Sequence, residues 1–208
     1  MKKSLIALAF GTLALGMSEF VMMGILPDIA RSLGVSIPEA GHLISAYALG
    51  VCFGAPLMVL VARKRPLKQI LLVLTALIIL GNLCAALAPN YWMLLAMRFV
   101  SGLPHGAFFG VGSIVAERVA AKGHRAEAVS IMVVGMTVAN LFGVPPGTFI
   151  SGAVTWRATS AIVAAWGAVA TLLVRLWVPK LPPLPDTGLK GQYRFLKHAG
   201  PWLVLTSV

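Results

Sequence analysis

Residues 69–88 read QILLVLTALIILGNLCAALA, twenty consecutive positions without an Asp, Glu, Lys, Arg or His. A hydrocarbon layer about 30 Å thick is crossed by roughly 20 residues of α-helix, each rising about 1.5 Å. The stretch therefore reads as a membrane-spanning helix. Five further apolar stretches of similar length accompany it, at 5–27, 41–62, 91–116, 127–152 and 157–179. The spacing predicts an all-α membrane protein built as a six-helix bundle. The apolar segment 198–208 is too short to cross and reads as the truncated start of a seventh span.

Composition agrees. The 208 residues are 59% hydrophobic and 11% charged, with a mean hydropathy of +0.90. A soluble domain is about one quarter charged. Cys52 and Cys84 fall inside apolar spans, with no CxxC pair and no His/Cys cluster beside them, so they read as small buried hydrophobes and imply neither disulfide nor metal. The apolar run after Lys2-Lys3 continues to Pro27, longer than a signal-peptide core, which favours a retained first helix ending there. There is no Gly-rich phosphate loop, no nucleophile triad and no paired-carboxylate site. The sequence gives no reason to expect an enzyme, a metal or a cofactor.

The net charge is +11, but its placement argues against nucleic acid. Fourteen of the seventeen basic residues lie on alternate connections: Lys2 and Lys3, then Arg63, Lys64, Arg65 and Lys68, then Arg118, Lys122 and Arg125, then Arg175 and Lys180, then Lys190, Arg194 and Lys197. The other connections hold only Arg31 and Arg157, and Arg98 sits inside a span. Positive charge collects on the cytoplasmic side, so the N-terminus and the segment after span 6 are expected there. The basicity reports topology and contact with anionic lipid.

The spans form two groups of three. Gly50-x-x-x-Gly54-x-Pro56 in span 2 recurs as Ala139-x-x-x-Gly143-x-Pro145 in span 5, 89 positions later. Three crossings are an odd number, so the second triplet enters the membrane upside-down relative to the first. Such a 3+3 inverted repeat is the usual construction of secondary transporters. Three segments are expected: a transmembrane bundle over 1–179, a cytoplasmic linker over 180–197, and the span-7 stub over 198–208. The linker contains Pro182-Pro183-Leu184-Pro185, which cannot be helix interior because proline lacks the donor and fixes φ. Its Gln192–Lys197 stretch mixes aromatic and basic residues, as a membrane-surface segment does, and span 7 would begin near Pro201-Trp202.

Ionisable groups inside a bilayer are costly and mark candidate sites. Three are present: Glu19 in span 1, and Arg98 and His105 in span 4. Counting inward from Pro27 and from Tyr91, Glu19 and Arg98 lie about 10–12 Å deep, opposite in sign. An ion pair or a shared water cavity is expected, either as a packing device or as a proton site in which Glu19 gains and loses its proton. His105 lies seven residues beyond Arg98 on nearly the same face, and reads either as a neutral hydrogen-bonding group or as a second titrating one. Asn82 and Asn140, near mid-depth in spans 3 and 5, could meet substrate or glue helices together.

Small residues recur four apart: Gly102, Gly106 and Gly110 in span 4, and Gly135, Ala139, Gly143 and Gly147 in span 5. Such stripes let helices approach closely, as static packing or as a sliding, gating surface. Pro104, Pro145 and Pro146 release carbonyls within spans 4 and 5, where they can kink the helix or line a cavity.

These motifs carry a resemblance. Leu15-Gly16-Met17-Ser18-Glu19-Phe20 through Gly24-Ile25-Leu26-Pro27 resembles the first-helix signature of the major facilitator superfamily, in its drug and sugar proton antiporter branch. Arg98-Phe99-Val100-Ser101-Gly102-Leu103-Pro104-His105-Gly106 through Gly110 is similar to that branch's fourth-helix signature. Gly135-Met136-Thr137-Val138-Ala139-Asn140 through Gly143-Val144-Pro145-Pro146-Gly147-Thr148 resembles its fifth-helix antiporter motif. Within the branch the likeness is nearest to sugar efflux transporters, and it runs from Lys2 to the last residue.

The resemblance implies a twelve-helix bacterial inner-membrane exporter that exchanges protons for a small solute, a sugar or a drug-like molecule. It implies Arg98 as the fourth-helix arginine associated with proton coupling, Glu19 as the first-helix acid facing the cavity, and Gly143, Pro145 and Gly147 as the antiporter bend. The loop between spans 2 and 3 keeps the basic cluster Arg63, Lys64, Arg65 and Lys68 but lacks the acidic residue of the superfamily's gating motif. A complete member has two six-helix bundles with the site between them, whereas this chain supplies one bundle, a linker and a stub. The expectation is half of a proton-coupled exporter, inactive without a second half. A non-transporting half-bundle and a half-transporter working as a homodimer are the alternatives.

Overall fold

The computed structural model describes residues 2–62 and 65–183, the side chains of 58–62 excepted. Arg63, Lys64, most of the expected linker and the whole expected stub lie outside the described residues. Seven α-helices run in order: α1 Lys2–Leu33, α2 Ile37–Ala62, α3 Leu67–Ala86, α4 Tyr91–Val119, α5 Arg125–Val138, α6 Val144–Ala153 and α7 Trp156–Trp177. A π-helical turn, Ala139–Gly143, joins α5 to α6 without a break. Among the described residues, six helices are long and apolar enough to cross a membrane, α5 to α6 forming one of them.

Short connections are held by local chemistry. Gly34 has φ +66° and ends α1, while the Val35 amide returns to the Ala30 carbonyl at 3.1 Å. That left-handed stop with its backward bond is the usual glycine cap. Ser36 and Glu39 then cap α2 reciprocally: the Ser36 amide donates to the Glu39 carboxylate at 2.8 Å, and the Glu39 amide to the Ser36 hydroxyl at 3.3 Å. Asn90 starts α4 by accepting from the Met93 amide at 2.9 Å.

Helix ends differ from the expected spans by a few residues, and most of all at the end of span 1. Span 1 does not end at Pro27; α1 continues six residues further. A proline inside a membrane helix costs one backbone bond, and neighbouring helices can compensate. Glycine at 34, not proline at 27, supplies the stop.

The two triplets correspond in detail. The first helices of the triplets start at Lys2 and Tyr91, and the third at Leu67 and Trp156, each pair 89 residues apart; the middle pair, Ile37 and Arg125, is 88 apart. The helix contacts correspond as well. α2 packs on α4 as α5 packs on α1, α3 packs on α4 as α7 packs on α1, and α3 meets α7. Exchanging the triplets thus maps these pairings onto one another, while the smaller contact of α1 with α3 has no equal between α4 and α7.

Lipid tails are as apolar as leucine, so helices in a bilayer associate by close packing and polar bonds. Glycines allow that approach here. A Cβ on Gly50 would strike the Phe99 carbonyl oxygen of α4, and one on Gly54 the Leu103 carbonyl oxygen. At the corresponding contact, a Cβ on Gly16 of α1 would lie 2.8 Å from the Ala139 methyl, and one on Gly135 would strike the Ala9 carbonyl oxygen. Two apolar clusters fill opposite ends of the bundle. One holds Leu5, Leu8, Leu71, Leu74, Val115 and Val174, and the other Ile25, Ile29, Leu43, Leu94 and Trp156. Between them lies a buried polar layer that includes Ser18, Asn82, Arg98, Ser101 and His105.

Candidate functional site

Three helices assemble the ionisable part of the polar layer. α4 contributes Arg98 and His105, seven residues apart and so nearly eclipsed after two turns. α1 contributes Ser18 and Glu19, adjacent in sequence and so about 100° apart around the axis. α2 contributes Tyr47, held against α4 because a Cβ on Gly102 would strike the Tyr47 carbonyl oxygen.

Arg98 is 1% exposed, so water does not solvate its charge. Its Nη1 donates to the Ser18 carbonyl at 2.8 Å, and its guanidinium carbon stands 4.4 Å from the centre of the Tyr47 ring. A hydrogen bond and a cation–π contact together hold it in place. Its Nε is buried without a protein partner. Arg98, Ser18, Asn82, Thr159 and Ser160 line a small void that has room for about one water molecule.

Glu19 does not pair with Arg98. No nitrogen of Arg98 comes within 4.0 Å of the Glu19 carboxylate, and the cation bonds instead to the carbonyl of the preceding residue. Arg98 reaches the α1 backbone at Ser18, and rotation about α1 turns the Glu19 carboxylate to the next face. There Glu19 Oε2 lies 3.7 Å from His105 Nδ1 and is buried with no hydrogen-bond partner. His105 Nδ1 in turn lies 2.9 Å from the Tyr47 hydroxyl, and its ring stacks on Phe109 with centroids 5.3 Å apart. Glu19, His105, Tyr47 and Arg98 thus form one connected group spanning α1, α2 and α4.

Other candidate residues are placed elsewhere. Asn82 is helix glue: it accepts from the Ser18 hydroxyl at 3.1 Å and donates to the Ile78 carbonyl at 2.9 Å. Asn140 is exposed on the π turn, and no hydrogen bond ties it to the buried group. Gly102 and Gly106 face α2, and a Cβ on Gly106 would lie 3.2 Å from the Ala55 methyl. Gly110 continues their stripe but meets nothing within 4 Å, so it takes no part in that contact. Gly143 and Gly147 face α1, where added Cβ atoms would lie 3.0 Å from Met17 Cγ and 2.7 Å from Val21 Cγ1. Pro145 is exposed directly after the π turn. Prolines at 145 and 146 cannot donate back to the carbonyls of Leu141 and Phe142, and the turn widens where those donors are missing.

In the loop between α2 and α3, Arg65 is exposed, and Lys68 Nζ donates to the Arg175 carbonyl at 2.7 Å. A cation there meets the negative end of α7. Sequence reading missed Tyr47 and Asp28. Tyr47 shares a face with Gly50 and Gly54, a signal that was available. Asp28 accepts from the Ser151 hydroxyl at 2.6 Å, tying α1 to α6. Among the described residues, no group of three His, Cys, Asp or Glu side chains could hold a metal ion.

Residues 8–206 match the family profile described as the Major Facilitator Superfamily. The chain is 46% identical over 207 residues to AraJ of Escherichia coli (strain K12), a transporter by its name alone, with all of this chain and 52% of AraJ covered. It is 45% identical to the inner membrane transport protein YdhP of the same organism, covering 85% of this chain and 45% of YdhP. It is 35% identical to a Helicobacter pylori (strain G27) protein named as a probable sugar efflux transporter, covering 88% of this chain and 45% of that one. The chain therefore spans about half the length of the curated relatives it matches. Among solved structures, a mutant of the peptide transporter POT in complex with alafosfalin superposes with a TM-score of 0.77 at 14% identity, over 99% of this chain and 45% of that one. At that identity the likeness is one of fold.

Proposed function

We propose, from the premise that this chain belongs to the Major Facilitator Superfamily, that it is half of a proton-coupled exporter of a small solute. It is a multi-pass membrane protein, and family membership makes it a transporter type. Outward antiport, a sugar or drug-like substrate, and the bacterial inner membrane as its location are our reading. So are the cytoplasmic placing of the N-terminus and the division into bundle 1–179, linker 180–197 and span-7 start 198–208. The substrate class rests on what the relatives are called. The orientation rests on the basic residues of the alternate connections.

One observation carries the coupling proposal. A carboxylate oxygen of Glu19 is buried beside His105 in the polar middle of the bundle without a donor. A buried carboxylate oxygen without a donor is costly even where the rest of the side chain is half-buried, and a proton reduces that cost. Arg98 supplies a fixed positive charge near the same group. Gly102, Gly106, Gly143, Pro145 and Gly147 border the contacts along which α2 and α5 would tilt against α4 and α1. Substrate would lie between this bundle and a second six-helix half, supplied by further chain or by another molecule.

The test is solute efflux from proteoliposomes driven by an imposed proton gradient. The 208-residue chain is compared with a version extended by a second six-helix half. Efflux in the extended form alone, collapsing with the gradient, supports the proposal. Efflux by the short form would replace it with a homodimer of halves. No gradient-dependent efflux in either would leave a non-transporting bundle.

A further inference from the structure

We infer that the transported proton is shared between Glu19 and His105, and that Tyr47 is the positioning residue that exchanges partners when it arrives. The inference deepens the proposed coupling role and rests on it.

The site holds fewer donors than its acceptors require. Glu19 Oε2 is buried and has no donor, and its neighbour at 3.7 Å is His105 Nδ1. That same nitrogen lies 2.9 Å from the Tyr47 hydroxyl. A neutral imidazole protonated on Nε2 uses Nδ1 as an acceptor, and Tyr47 then donates to it. In that state His105 has nothing to offer Glu19, so the carboxylate oxygen stays unpaired. The site is one proton short.

Adding one proton corrects this in either of two ways. Placed on Glu19, it makes the carboxyl a donor. Placed on His105 Nδ1, it turns the nitrogen into a donor towards the carboxylate, and the Tyr47 hydroxyl must rotate away or accept. No other bond forms or breaks, and no other species leaves. The step moves the bonding partner of Nδ1 from α2 to α1. A proton is thereby converted into a change in which helix α4 holds.

The surrounding charges leave these groups alone to do it. The titratable side chains facing His105 are Glu19 from α1 and Tyr47 from α2, and Arg98 of α4 meets the group through the Tyr47 ring. α3 presents Asn82 at this level, and the fifth span carries no ionisable residue after Glu127. Arg98 is committed to the Ser18 carbonyl and the Tyr47 ring, so it stands as a fixed counter-charge. It also anchors the Tyr47 ring whose hydroxyl makes the exchange.

The test uses the 208-residue chain in lipid nanodiscs and needs no transport. Labelled histidine nitrogens are followed by NMR across pH, with the His105 signal identified by its loss in His105→Asn. The Glu19 carboxyl is followed by infrared difference spectroscopy, identified by its loss in Glu19→Gln. We expect both signals to change over one shared pH range. In Glu19→Gln, His105 should need at least tenfold more protons to charge. In Tyr47→Phe, the Nδ1 signal at neutral pH should lose its hydrogen-bonded signature while the fold persists. Arg98→Lys should leave the two groups titrating together. A His105 that titrates identically in wild type and Glu19→Gln, or stays neutral while Glu19 titrates, overturns the inference. Coupled efflux by the extended protein with an uncoupled His105 would sink this inference alone; a shared titration without any efflux would sink the transport reading alone.

Discussion

Arg98 donates to the backbone of Ser18, not to the carboxylate of Glu19 one residue along. The fixed charge is therefore tied to the α1 main chain, which every α1 sequence offers, and the carboxylate is left to a different neighbour. Two polar functions are separated by a single 100° step of the helix.

Arg98→Ala removes a charge-assisted bond and a cation–π contact and empties a fully buried site. We expect a loss of about 2–4 kcal/mol in the stability of the inserted bundle. In the extended protein we expect gradient-driven efflux to fall to background while the protein still inserts. Thermal unfolding in detergent and efflux assays read the two effects separately. Wild-type efflux in Arg98→Ala would remove it from coupling.

The glycine stripe of α4 should show a sharp internal contrast. In Gly54→Ala on the facing helix, the new methyl meets the Leu103 backbone, which cannot swing aside. A cost of about 1–3 kcal/mol is expected from overpacking. Gly110→Ala meets open space and should be neutral or slightly stabilising, since alanine favours helix. Chemical denaturation of the two variants side by side checks this, and equal effects would contradict the packing described.

The π turn should be set by the two prolines after it. In the double variant Pro145→Ala, Pro146→Ala, donors return to the carbonyls of Leu141 and Phe142, and the ladder can close as regular α-helix. Amides within 139–143 should exchange with solvent roughly tenfold more slowly, a change corresponding to about 1.4 kcal/mol. Hydrogen-exchange mass spectrometry on the chain in nanodiscs measures it. Unchanged exchange would mean that Gly143 and its packing on Met17, not the prolines, set the turn.

At the other end of α1, Ser36→Ala should remove the reciprocal cap it shares with Glu39. The expected cost is about 1 kcal/mol, confined to the start of α2. Local exchange at 37–40 should rise while the buried layer around Arg98 is unaffected.

The sequence made the spans legible because the bilayer imposes one length and one polarity on every crossing. It also showed the repeat, since the Gly-x-x-x-Gly-x-Pro pattern recurred at the spacing that the helix starts of α1 and α4 later matched. It misplaced the end of α1, because proline in a lipid environment is a weaker stop than glycine with a left-handed φ. It singled out Glu19 and Arg98 but not their partners. Depth follows from counting residues, whereas partners depend on how each helix is turned, and a turn of 100° changes them. Tyr47 was overlooked because a tyrosine in an apolar span looks like packing until its hydroxyl is seen on His105. The π turn had a signal in Pro145-Pro146, which marked a bend but not its widened form.

The matching pairing of the two triplets has one more consequence. With a shift of 89 residues, the position matching Arg98 is Ala9, that matching His105 is Gly16, and that matching Glu19 is Phe108. The main helix pairings repeat between the triplets, but the buried polar group does not. The repeat therefore carries the packing, and the buried polar group belongs to unmatched residues. The repeat thus supplies a frame with two matching sides, and the polar group marks only one of them.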